Sequence, residues 1–105
     1  MERALKSVFA QRPVDAWLWG HEHRCAVYRD PAGLVQFASL VGHGGIPIAS
    51  GDHGDVKKAP LTYHYQEEDS AGLTNLGFVV VDLSDSSALA RYFNEHGVEH
   101  WAEEF

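Results

Sequence analysis

Val14-Asp15-Ala16-Trp17-Leu18-Trp19 is apolar at both parities of a two-residue repeat, interrupted only by Asp15, and runs straight into Gly20-His21-Glu22-His23. Successive side chains of an extended chain point to opposite faces, so this pattern predicts a strand buried on both of them. Such a strand belongs inside a sheet, with a layer on each side. A chain of 105 residues can bury roughly 65% of the surface its unfolded form exposes, enough for one core. Residues 1–105 are therefore read as a single domain.

The flanking segments complete the expected architecture. Leu5, Val8 and Phe9 recur at helical spacing, Glu2 suits a first helical turn and Pro13 would close it, so the opening dozen residues predict a short amphipathic helix. After the histidines, Arg24–Tyr28 and Leu34–Val41 read as strands around the turn residues 29–33, which makes a hairpin. Gly42–Pro60 is glycine-rich and lacks apolar periodicity, and loops of that length in compact domains usually carry function or move. Thr62–Gln66 predicts a short strand and Leu76–Leu83 a strong one; Leu89–Asn94 and Val98–Phe105, joined at His96-Gly97, add a C-terminal meander. The expected class is α+β: one N-terminal helix followed by a mostly antiparallel sheet. No internal repeat or interdomain linker stands out.

Charge narrows the partners. Fifteen acidic residues against eight basic ones give a formal charge of −7. This balance repels a phosphate backbone, offers no basic stripe for nucleic acid and does not favour an anionic membrane. The single cysteine, Cys25, excludes an internal disulfide framework and suits a small buried hydrophobe in a reducing compartment. Glu2, Arg3 and Lys6 break up the N-terminal apolar residues, unlike a signal peptide, and no apolar run is long enough to span a bilayer. Cytoplasmic localisation is the expectation.

Seven histidines invite a search for metal ligands, since neutral imidazole suits zinc, iron and nickel. His96 in a turn, His100 on an acidic edge strand and His64 between two tyrosines read as solvated or half-buried structural residues. His43 and His53 fall in the glycine-rich loop, where a surface histidine and a substrate contact are both open. His21 and His23 differ: Gly20 frees the backbone at the strand end, and residues i and i+2 of extended chain project to one side, so both nitrogens could converge on a cation. Two imidazoles remain fewer than the three protein ligands of a catalytic zinc site.

The segment Asp15-Ala16-Trp17-Leu18-Trp19-Gly20-His21-Glu22-His23-Arg24 resembles the final metal motif, Gly-His-x-His, of the calcineurin-like metallophosphoesterases. The helix before it, the hairpin after it, the loop Gly42-His43-Gly44-Gly45-Ile46-Pro47 and the terminal strands are similar to the C-terminal part of that fold. The resemblance implies the β-rich half of an αββα sandwich, with His21 on one metal and His23 on the other of a two-metal centre (Mn, Zn, Fe or Mg) that hydrolyses phosphate mono- or diesters. Members of the family also carry Asp-x-His, Gly-Asp-x-x-Asp, Gly-Asn-His-Asp or -Glu and one isolated histidine upstream of this motif. Only twenty residues precede His21. Gly51-Asp52-His53-Gly54-Asp55 matches one of these motifs in letters but falls after the histidine pair and reads as a turn cluster.

The resemblance therefore implies the C-terminal portion of a longer phosphoesterase, supplying two ligands in the full-length context, with weak or no metal binding and no hydrolysis by the isolated chain. Two readings of other classes stand beside it. One is a small non-catalytic domain with a mononuclear site made of His21, His23 and either His43 or His53. The other is an interaction module that oligomerises, or pairs with a missing N-terminal half, through an exposed sheet face. A cupin, the other common home of His-x-His on a strand, needs a glutamate a few residues on, where Arg24-Cys25-Ala26-Val27 stands.

Overall fold

The computed structural model describes residues 7–49 and 60–105. Through them run β1 (Val14–Trp19), β2 (Cys25–Tyr28), β3 (Val35–Val41), β4 (Leu61–His64), β5 (Gly77–Leu83), β6 (Ala88–Asn94) and β7 (Glu99–Glu104). They form a four-stranded sheet in the order β1-β3-β2-β4 and a three-stranded sheet in the order β5-β6-β7. The β2–β3 hairpin and the C-terminal meander both form, as the turn residues foretold. In the hairpin turn, Asp30 Oδ1 accepts the Ala32 N–H (2.9 Å) and Oδ2 accepts those of Leu34 (2.8 Å) and Val35 (3.0 Å). Gly33 supplies the left-handed residue there, at φ 65°.

The α+β expectation is overturned. Among the described residues the helix is confined to residues 7–9, and two sheets face each other directly, so the protein is β-rich and mostly antiparallel, with no helical layer. Helix nucleation is costly, because one hydrogen bond must fix several residues at once. Here one bond, from the Gln11 N–H to the Val8 carbonyl (3.1 Å), follows the turn before Pro13. Phe9 sets its ring edge-on against Trp17, with centroids 5.4 Å apart. Glu2 and Leu5 lie outside the described residues.

The strand expected to be buried on both faces is an edge strand. Among the described residues β1 pairs with β3 alone, in parallel, and Leu18 remains 40% exposed. Its parity is nevertheless used. Ala16 turns toward the space between the sheets, whereas Trp19 covers the buried Ala26 and Leu40 on the other face together with Tyr28, whose ring stacks on it at 5.5 Å. The first sheet thus roofs its outer face with its own aromatic side chains.

Between the sheets lie Cys25, Val27, Phe37 and Tyr65 from one side and Ala90 and Tyr92 from the other. Phe37 stacks on Phe105 at 4.2 Å with the rings nearly parallel, and burying such a side chain contributes about 1.5–3 kcal/mol. The Ser39 hydroxyl and the Tyr92 phenol share a hydrogen bond of 2.6 Å across the interface, which satisfies two fully buried polar groups at once. Burial pushes the Cys25 thiol up to about 12, so it is an inert packing residue, in keeping with its sequence reading.

Candidate functional site: the histidine turn

The sheet order dictates the geometry of Gly20–Arg24. β3 lies between β1 and β2, with Leu40 opposite Trp19 and Val41 opposite Cys25. The connection from β1 to β2 must therefore cross the C-terminal end of β3, a span of roughly 9–10 Å from two interstrand spacings. Five residues make this crossing, and two of them adopt left-handed backbone: His21 at φ 87° and His23 at φ 50°. A side chain in that region costs about 1–2 kcal/mol in general, so the fold holds both histidines against a local preference. His21 and Glu22 are exposed and His23 is half-buried.

The two imidazoles are therefore presented by a tight turn. The extended pair projecting to one side, expected from their spacing, does not form, because the chain leaves the β region in order to cross β3. Beneath the turn, the Gly42 N–H donates to the Arg24 carbonyl at 2.8 Å and ties the crossing to the strand it passes over. Glu22 and Arg24 bracket Tyr28 electrostatically. Burial raises the Tyr28 phenol most, Glu22 raises it further and Arg24 opposes them.

His43 does not join the turn. It is 3% exposed, with ring centroids 6.0 Å from Tyr65 and 6.5 Å from His100, in the space between the sheets. Neither ring nitrogen has a hydrogen-bond partner among the described residues. Burial, reinforced by the neighbouring His100, lowers its pKa to about 4, so the ring is neutral at physiological pH. A surface contact to substrate is not its place. His53 lies outside the described residues, as does the Gly51–Asp55 cluster.

His100 takes the half-buried structural place its sequence reading gives it, and two features around it depend on partner strands. His100 lies where Tyr92 faces Trp101 but Phe93 faces Glu99, and this register shift leaves His100 as the extra residue of a β-bulge. Its ring stacks on Tyr65 at 3.9 Å, and its Nδ1 shares a hydrogen bond of 2.8 Å with the Tyr63 hydroxyl. The second is Gly77, where an added Cβ would lie 2.3 Å from the Phe93 carbonyl oxygen and 2.6 Å from His43 Nε2. Single-strand alternation shows neither feature, because each depends on a partner strand.

Imidazole is a ligand type chemically suited to a divalent transition metal, and the turn carries two of them one residue apart. Among the described residues no group of three or more His, Cys, Asp or Glu side chains could hold a metal ion, so a mononuclear site through His43 is not assembled. No family model matches the chain, and no curated protein matches it. No helix among the described residues is long and apolar enough to cross a membrane.

Proposed function

We propose that the chain contributes His21 and His23 to the metal centre of a phosphate-ester hydrolase whose carboxylate ligands come from polypeptide outside residues 1–105. The observation that carries this reading is the pair of histidines one residue apart, both held at positive φ on the turn that crosses β3. Backbone strain of this kind persists where the surroundings over-determine it and gathers at binding and catalytic sites. A metal bound there would supply positive charge for a phosphoryl group and lower the pKa of a coordinated water. This chain's own part is to hold two imidazoles in place. The protein is assigned to a reducing cytoplasm, a placement supported by its single, buried cysteine.

The test is hydrolysis of bis-p-nitrophenyl phosphate with added manganese or zinc. The 105-residue chain alone should show no rate above blank. The longer polypeptide that carries the carboxylates should turn over, and His21→Ala or His23→Ala should each lower that rate at least about a hundredfold. A His21- and His23-dependent rate from the short chain, or an unchanged rate in the long-chain variants, overturns the reading.

A second reading, association through a sheet face, is favoured by the outer surface of β5–β7. Phe78 (49% exposed), Val80 and Leu89 face solvent there, and Phe78 stacks on Phe93 at 5.3 Å.

A further inference from the structure

We infer that Gly42 is the positioning residue of the histidine turn. The inference rests on the metal reading for its consequence and on backbone geometry for its substance. A Cβ at position 42 would lie 2.9 Å from the His23 backbone nitrogen, 3.3 Å from that of His21 and 3.4 Å from that of Arg24. All three obstacles are main chain, which cannot rotate away as a side-chain tip can. The close approach follows from the topology: the β1–β2 crossing passes over the exit of β3, and Gly42 is the first residue beyond that strand.

The requirement for glycine here is spatial. The left-handed glycines among the described residues are Gly33, Gly72 and Gly97, and Gly42 is not one of them, so alanine could adopt its dihedrals. Gly20 and Gly45 are under no such constraint, and the one tight contact at Gly44, 3.3 Å to the Gly77 carbonyl oxygen, lies away from the histidine turn. A Cβ at Gly20 would make an ordinary 3.7 Å contact with the Gly42 Cα, and one at Gly45 would meet nothing within 4 Å. With its N–H bonded to the Arg24 carbonyl at 2.8 Å, Gly42 holds the turn from one side while leaving it room on the other. A side chain there lifts the crossing and changes the backbone at both histidines together, so the spacing of the two nitrogen donors depends on an atom that is missing twenty residues downstream.

The experiment uses the 105-residue chain, with zinc ion alone as the probe. A positive φ brings the amide proton close to its own α-proton, so His21 and His23 should each show a strong intraresidue amide-to-α NOE in the zinc-free protein. Gly42→Ala should weaken that signal at both positions, and Gly45→Ala at neither. In a zinc titration followed on the imidazole ring protons, both rings of the wild type should shift along one curve. Gly42→Ala should lower the apparent affinity by about tenfold or more and uncouple the two rings, whereas Gly45→Ala should behave as wild type.

Wild-type NOEs together with wild-type zinc affinity in Gly42→Ala overturn the inference. Should Gly42→Ala fail to fold, adding His23→Gly frees the obstructing backbone. Recovered cooperative unfolding then supports a clash at this crossing, and a double variant that stays unfolded overturns it. A wild-type chain that shows the NOE signature, loses it in Gly42→Ala and never shows paired zinc shifts supports the positioning role without a metal on the isolated chain, and the metal reading then falls or stands on the hydrolysis rates of the longer polypeptide and its histidine variants.

Discussion

Two histidines at φ 87° and φ 50° hold backbone that glycine would hold without steric strain. Replacing either by glycine should therefore stabilise the chain while removing a nitrogen donor. His21→Gly and His23→Gly are each expected to raise the unfolding free energy by about 1 kcal/mol in urea titrations at neutral pH. A loss of stability would mean that the imidazoles make contacts that outweigh the strain. The sequence showed that these residues were unusual, because Gly-His-x-His after an apolar run is a specific pattern. It could not show their dihedrals, which are imposed by a strand twenty residues later. The burial of His43 is hidden from the sequence for a related reason. Its glycine neighbours suggest a surface loop, yet it stands two residues past the end of β3 and its ring fills the space that a side chain at Gly77 would need. Its folded pKa of about 4 lies below the ordinary 6.5, so protons bind the unfolded chain more readily. The stability this confers is complete above about pH 6.5 and is lost as pH falls toward about 4. Urea midpoints at pH 7 and pH 5 should differ less in His43→Leu than in wild type, and an equal drop in both would place the acid sensitivity elsewhere.

At the level of the element, the strands were legible and the layers were not. Val79, Ala90 and Tyr92 turn inward while Phe78, Val80 and Leu89 turn outward, which is the alternation that period-two patterning reads well. At the N-terminus the described helix is the single turn of residues 7–9, whose Phe9 packs edge-on against Trp17; residues 10–12 turn ahead of Pro13, and residues 1–6 of the expected helix lie outside the described residues. In β1, apolar residues at both parities imply burial under two layers. In fact Trp19 and Tyr28 form the outer cover themselves, so the same composition serves an edge strand. The bulge at His100 exists only relative to β6, so the pattern of a single strand does not show it. It leads to a local prediction: Tyr63→Phe removes the 2.8 Å bond to His100 Nδ1 and should cost about 0.5–1.5 kcal/mol by thermal or urea denaturation. Full retention of stability would show that the stacking of His100 on Tyr65, and not its hydrogen bond, holds the bulge.

For the whole molecule, an apolar outer face on the second sheet meets a strongly acidic balance. Phe78, Val80 and Leu89 favour association, while a formal charge of −7 opposes close approach of two copies. Arg91 is already occupied, lying 5.1 Å over the Phe93 ring and 2.7 Å from the Glu99 carboxylate, so it does little to offset that charge for a second copy. Association should accordingly strengthen with added salt, as repulsion is screened within about 8–10 Å, and weaken in Phe78→Ser. Light scattering across salt concentrations at fixed protein concentration checks both. A monomer under every condition would remove the second functional reading.

Because β3 sits between two strands that precede it, the order of assembly is restricted. The β2–β3 hairpin closes over a short turn, but β1 has no partner until β3 is in place, and its crossing cannot settle until Gly42 arrives beneath it. The histidines thus take up their presented form late in folding, after the polypeptide has travelled through β3. In pulsed hydrogen exchange during refolding, amides of β2 and β3 should gain protection before those of Ala16 and Leu18. A nascent chain released before residue 42 would carry the motif without the shape that gives it meaning.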